Sequence, residues 1–82
     1  MIKNSNISVT IKFFIDLLEF GPPKTEKNMP IGSSINSIIK QYKIPIEKKK
    51  LIILINGIPQ YDREIALKDG DTIVFFPPLA GG

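Results

Sequence analysis

The hydrophobic patterning of this chain predicts an α+β domain, a mixed sheet of four or five strands with one main helix packed on one face. Three observations carry that prediction. Residues 7–15, ISVTIKFFI, alternate with period two, so Val9, Ile11, Phe13 and Ile15 share one face and Ser8, Thr10, Lys12 and Phe14 the other. Ile35, Ile38, Ile39 and Tyr42 recur at the spacing of one helix face, with Asn36, Ser37, Lys40, Gln41 and Lys43 on the polar side. Two short runs rich in β-branched residues then follow, Leu51 to Ile55 and Thr72 to Phe76.

The connections fit this order. Gly21-Pro22-Pro23 ends any regular element after the first strand, and a second strand over Lys24 to Ile31 would close an antiparallel hairpin. Ser33 or Ser34 can cap the helix, and Pro45 bars its continuation, giving a helix of about 34–43. Leu51 to Ile55 reads as a buried strand, Asn56-Gly57 as a tight turn, and Ile58 to Tyr61 as a short extended piece. Asp62 to Lys68 reads as a loop with room for one helical turn, Leu67 plugging the core from below. Asp69-Gly70-Asp71 turns the chain into the last strand, which Pro77-Pro78 ends. In such a fold the first and last strands can lie side by side as parallel neighbours at the centre, the helix forming part of the crossover. The domain is expected over residues 1–76, with 77–82 an extended tail.

Composition narrows the function. The chain has 82 residues, enough for one small domain, with 43% apolar and 23% charged residues. It has no cysteine and no histidine. Disulfides, thiol nucleophiles and thiolate metal sites are therefore excluded, and the usual general base is missing. Independent catalysis is not expected, nor is a metal site. The net charge of +3 comes from ten lysines and one arginine against eight acids, a poor match to nucleic-acid readers, which favour arginine. The run Lys48–Lys50 reads as a solvated loop. The opening MIKNSNIS lacks the apolar core of a signal peptide, and no apolar stretch reaches the ~18–20 residues of a membrane span, so a cytoplasmic protein without nucleic-acid or membrane partners is expected.

Two features point outward from the domain. A one-helix fold covers one face of its sheet, yet Phe14 lies on the polar parity of its strand. In the last strand Ile73 and Phe75 occupy one parity and Val74 and Phe76 the other, and both pairs cannot face the helix. Unless the loop 16–24 folds over Phe14, Phe14, Val74 and Phe76 form an apolar patch of the kind that marks a partner surface. The second feature is the terminus, Pro77-Pro78-Leu79-Ala80-Gly81-Gly82. Two prolines project the tail in extended form, with a reach of at most ~20 Å. Glycines at the tip let the backbone enter a slot too narrow for side chains. At about 7% glycine a terminal pair arises by chance roughly once in 200 chains. A terminal carboxylate is a poor electrophile, but adenylation gives it a good leaving group, and sulfur transfer then yields a thiocarboxylate. Both steps place the Gly82 carbonyl deep inside another protein, so the domain supplies recognition and the partner the catalytic groups.

The segment Asp69 to Gly82, DGDTIVFFPPLAGG, resembles the end of the molybdopterin synthase small subunit (MoaD), and Phe13-Phe14 with Glu19 resemble that family's opening strand. The thiamine-pathway sulfur carrier ThiS shares the terminal Gly-Gly and usually lacks the Phe-Phe-Pro-Pro segment. The resemblance implies a ubiquitin-like β-grasp fold and a non-catalytic sulfur-carrying subunit. A MoeB-like, ATP-using enzyme would adenylate Gly82, and a sulfur donor protein would supply the thiocarboxylate. A MoaE-like large subunit would receive the tail and pass sulfur to a pterin, while the chain itself holds no bound cofactor. It also assigns large-subunit contacts to the positions of Phe14 and Phe76. Leu18 departs from the family, which often has arginine there. A thiamine-type carrier and a protein modifier conjugated through Gly82 are the alternatives.

Overall fold

The structure, a computed structural model, describes residues 6–44 and 51–76. The expectations for residues 1–5, Lys48–Lys50, Pro45 and the tail 77–82 lie outside the described residues. Strand β1 (Asn6–Phe13) is followed by a 3-10 turn (Ile15–Phe20), β2 (Lys24–Pro30), helix α1 (Ile35–Tyr42), β3 (Ile52–Ile55), β4 (Ile58–Pro59) and β5 (Thr72–Phe76). The sheet order is β2-β1-β5-β3-β4, with β1 and β5 parallel at the centre and the other pairs antiparallel. This is the predicted α+β arrangement in its five-strand form.

Alternation along β1 buries Ile7, Val9, Ile11 and Phe13 against the helix side. Ile35, Ile38 and Ile39 come down from α1, Ile73 and Phe75 from β5, and Ile53 from β3, to close one core. Leu67 is buried in it, as expected, although its loop makes no helical turn. Ser34 sits in extended conformation at the helix start, and its N–H donates to the Ser37 hydroxyl at 3.0 Å. The stop is made by Lys43 in the left-handed region (φ 57°), whose N–H reaches back to Ile39 and Lys40.

The first strand is shorter than its apolar pattern. It ends at Phe13, and the segment read as loop folds into the 3-10 turn instead. That turn carries Leu17 into the core with no exposed surface, a burial of about 1.5–3 kcal/mol. The side chain of Ile15 lies outside the described ones. Gly21 closes the turn because nothing larger fits: a Cβ there would stand 2.8 Å from the Phe13 ring and 3.2 Å from the Tyr42 ring. Phe13 itself packs edge-on against Tyr42, with ring centroids 5.1 Å apart.

The far end of the sheet is pinned by polar side chains. Asn56 and Gly57 both adopt positive φ (52° and 84°), as a two-residue hairpin turn requires. The buried Asp71 carboxylate accepts from Asn56 Nδ2 at 2.9 Å and from the Lys68 N–H at 2.8 Å, and Asn56 Oδ1 accepts from the Thr72 N–H at 3.0 Å. Asp69 Oδ1 accepts from the Ser8 N–H at 2.7 Å. The two acids of the Asp-Gly-Asp segment therefore set where β5 starts beside β1 and β3. Their work is structural.

Candidate functional site

In β5, Ile73 and Phe75 have no exposed surface, while Thr72, Val74 and Phe76 on the opposite parity remain half-buried. Phe14, just past the end of β1, keeps extended backbone (φ −123°, ψ 148°) and its N–H donates to the Phe75 carbonyl at 3.2 Å. Its side chain therefore falls on the outer face, 41% exposed, with its ring centroid 4.7 Å from that of Phe76. The 3-10 turn does not fold over it. The structure thus brings together the three residues expected to face a partner: Phe14 and Phe76 stack, and Val74 lies on the same face two residues before Phe76.

The patch is wider than the sequence reading. Strand β3 pairs with β5 so that Ile52 stands opposite Phe76 and Leu54 opposite Val74. Cross-strand partners share a face, so both belong to the outer surface: Ile52 is 40% exposed and Leu54 half-buried. The expectation that Leu51 to Ile55 is a buried strand is corrected here. Only Ile53 is fully buried, because β3 has the helix side on one face only. A continuous apolar run hides this division. The signal that could have found it was the parity of the run against Thr72–Phe76, since an antiparallel partner of a two-faced strand must itself be two-faced. Leu18, on the turn that follows Phe14, is 46% exposed.

Phe76 is the last residue of β5, so in sequence the terminal segment begins directly from this patch. Pro77, Pro78, Leu79, Ala80, Gly81 and Gly82 lie outside the described residues. Among the described residues no group of acids could hold a metal ion, and no helix is long and apolar enough to cross a membrane. Burial raises the pKa of the Tyr42 hydroxyl above its ordinary value, but Tyr42 packs under the sheet against Phe13, away from the outer face.

Comparison with known proteins decides the family. The ThiS family profile matches residues 10–82, from within the first strand to the last glycine. The chain belongs to the ThiS family. No curated protein matches it. Among solved structures, this ThiS-family chain is similar to a protein described as molybdopterin converting factor subunit 1 from Pyrococcus furiosus (TM-score 0.73, 23% identity, 89% of this chain and 99% of that one). It is also similar to small archaeal modifier protein 1 from Methanosarcina acetivorans (TM-score 0.65, 26% identity, 96% and 100%). A third likeness is to a chain in the complex of subunits 1 and 2 of the molybdopterin-converting factor from Helicobacter pylori (TM-score 0.59, 24% identity, 93% and 100%). The fold is the ubiquitin-like β-grasp that the terminal segment implied.

Proposed function

We propose that this ThiS-family chain is a sulfur carrier for molybdopterin synthesis. The carboxylate of Gly82 attacks the α-phosphorus of ATP in a MoeB-like enzyme, pyrophosphate leaves, and an acyl-adenylate forms. Sulfur delivered at the sulfide level by a donor protein then attacks the acyl carbon, AMP leaves with the oxygen, and Gly82 carries a thiocarboxylate. A MoaE-like large subunit docks on the face built by Phe14, Val74 and Phe76 and takes the tail into its own site. ATP is consumed by the activating partner, and the chain contributes recognition and a tethered nucleophile rather than catalytic side chains.

The observation that carries this reading is the apolar outer face at the root of the tail. A partner that covers Phe14 and Phe76 is positioned to receive the six residues that follow Phe76. The Phe-Phe-Pro-Pro segment supports the molybdopterin branch over the thiamine branch. A second reading, conjugation to other proteins through Gly82, is favoured by the 26% identity to the archaeal modifier.

Reconstitution separates the branches. The thiocarboxylated chain, mixed with a MoaE-like large subunit and the cyclic pterin precursor, is expected to yield the dithiolene product at a stoichiometry set by the carrier. Failure with that subunit, together with sulfur delivery to a thiamine-pathway acceptor, would reassign the pathway.

A further inference from the structure

Among the described residues β2 is a seven-residue edge with no strand beyond it, whereas the opposite edge, β4, has two residues and ends in Pro59. The Phe13 N–H donates to the Pro23 carbonyl at 3.2 Å, and the β1–β2 register continues from there, so Thr25, Lys27 and Met29 turn their backbone groups toward β1. The N–H and C=O groups of Lys24, Glu26 and Asn28 therefore point out of the sheet, an open template for another strand. The side chains of these three are exposed on the outer face, while those of Thr25 and Lys27 are half-buried on the helix side. Net charge does not mark this edge: in formal charge Lys12 and Lys24 are offset by Asp16 and Glu19 of the 3-10 turn between their strands. The order of charges along it does.

We infer that β2 pairs antiparallel with β2 of a second copy of this chain, Lys24 of each copy standing opposite Glu26 of the other. Outward-pointing backbone groups must meet outward-pointing groups, which leaves few registers. A two-fold axis at Lys24, at Glu26 or at Lys27 sets like charge directly against like, which is unfavourable. An axis at Asn28 pairs no opposite charges. An axis at Thr25 makes two opposite-charge pairs on the outer face and a Thr25–Thr25 pair on the helix side. It also makes four backbone hydrogen bonds between residues 24 and 26 of the two copies. Both helices then lie on one side of a continuous sheet of ten strands, five from each copy, and both outer faces on the other. Since β1 and β2 stand between the junction and β5, the aromatic face stays open in both copies. Edge pairing alone buries less than the about 1,000 Å² of a stable interface, so the dimer is a transient one, with a Kd on the order of 0.1–1 mM.

The test uses the full chain. Sedimentation equilibrium from about 20 µM to about 2 mM is expected to show the average mass rising to about 1.5 chains or more, as such a Kd gives. Lys24→Glu, which sets Glu against Glu twice, should lower the association constant about 10-fold. The exchanged Lys24→Glu/Glu26→Lys chain should recover to within about 3-fold of wild type. The chain has no cysteine of its own, so introduced thiols report the register. In Thr25→Cys the two Cα atoms would stand about 4.5 Å apart across the axis, within disulfide reach. In Lys27→Cys, on the same face of the strand, they would stand about 13 Å apart. Thr25→Cys should therefore oxidise to a covalent dimer about 10-fold faster or more. Each substitution replaces an exposed or half-buried side chain, and melting curves check that every variant folds. A chain that stays monomeric at about 2 mM would mean that these charges guard the edge, and would overturn the inference. So would a dimer that ignores the charge exchange, or one that cross-links equally through Lys27→Cys. Loss of the dimer in Phe76→Ala with survival in Lys24→Glu would put the contact on the aromatic face and overturn it too.

Discussion

Replacing Gly82 with phenylalanine is expected to abolish adenylation and leave the melting temperature of the domain unchanged. The physical reason is steric and positional. A carboxylate oxygen of Gly82 must reach the α-phosphorus of ATP in near-attack geometry, and misplacement by about 1 Å can cost about 100-fold in rate. A benzyl group at the tip would not follow the backbone into the glycine-wide channel proposed for the activating enzyme. Among the described residues the core is built from β1, the 3-10 turn, β2, α1 with Ile44 two residues beyond it, β3, Leu67 and β5. Thermal unfolding followed by circular dichroism, alongside ATP–pyrophosphate exchange, checks both halves. Undiminished exchange by the variant would remove the requirement for a narrow tip.

The second large effect separates two adjacent phenylalanines. Phe75 has no exposed surface and packs on Phe13 with ring centroids 5.5 Å apart, whereas Phe76 faces outward against Phe14. Phe75→Ala should therefore cost about 3–5 kcal/mol of stability, which lowers the melting temperature of a domain this size by about 10 °C or more. Phe76→Ala should forfeit little beyond the ring pair, about 0.5–1.5 kcal/mol, yet weaken binding of the large subunit by about 2 kcal/mol or more. Calorimetric titration and melting curves on both variants give the contrast. A Phe76→Ala chain that melts as early as Phe75→Ala would place Phe76 in the fold rather than in the interface.

Most of this architecture was legible because small sheets impose strict periods. The run Val9, Ile11, Phe13 and the spacing Ile35, Ile38, Ile39, Tyr42 each admit one geometry, and both appear where the pattern placed them. The parallel pairing of β1 with β5 followed from having one helix between a hairpin and the returning strands. The 3-10 turn was not legible. Its signal is a single buried leucine, Leu17, in a segment whose prolines advertise irregularity, and the contact that forces it, Gly21 against Phe13 and Tyr42, is long-range. Of the site, Phe14, Val74 and Phe76 could be found by parity alone. Ile52 and Leu54 were hidden because an unbroken apolar run gives no parity until its partner strand is known.

The proposed sulfur-carrier role rests on the chemistry at the carboxyl group of Gly82. The most direct measurement is fragmentation mass spectrometry of the intact chain after incubation with ATP, the MoeB-like enzyme and a sulfur source. A single sulfur-for-oxygen exchange confined to the Gly82 terminus is expected. A terminus that stays a plain carboxylate, or one recovered only in amide linkage to lysines of other proteins, would contradict it.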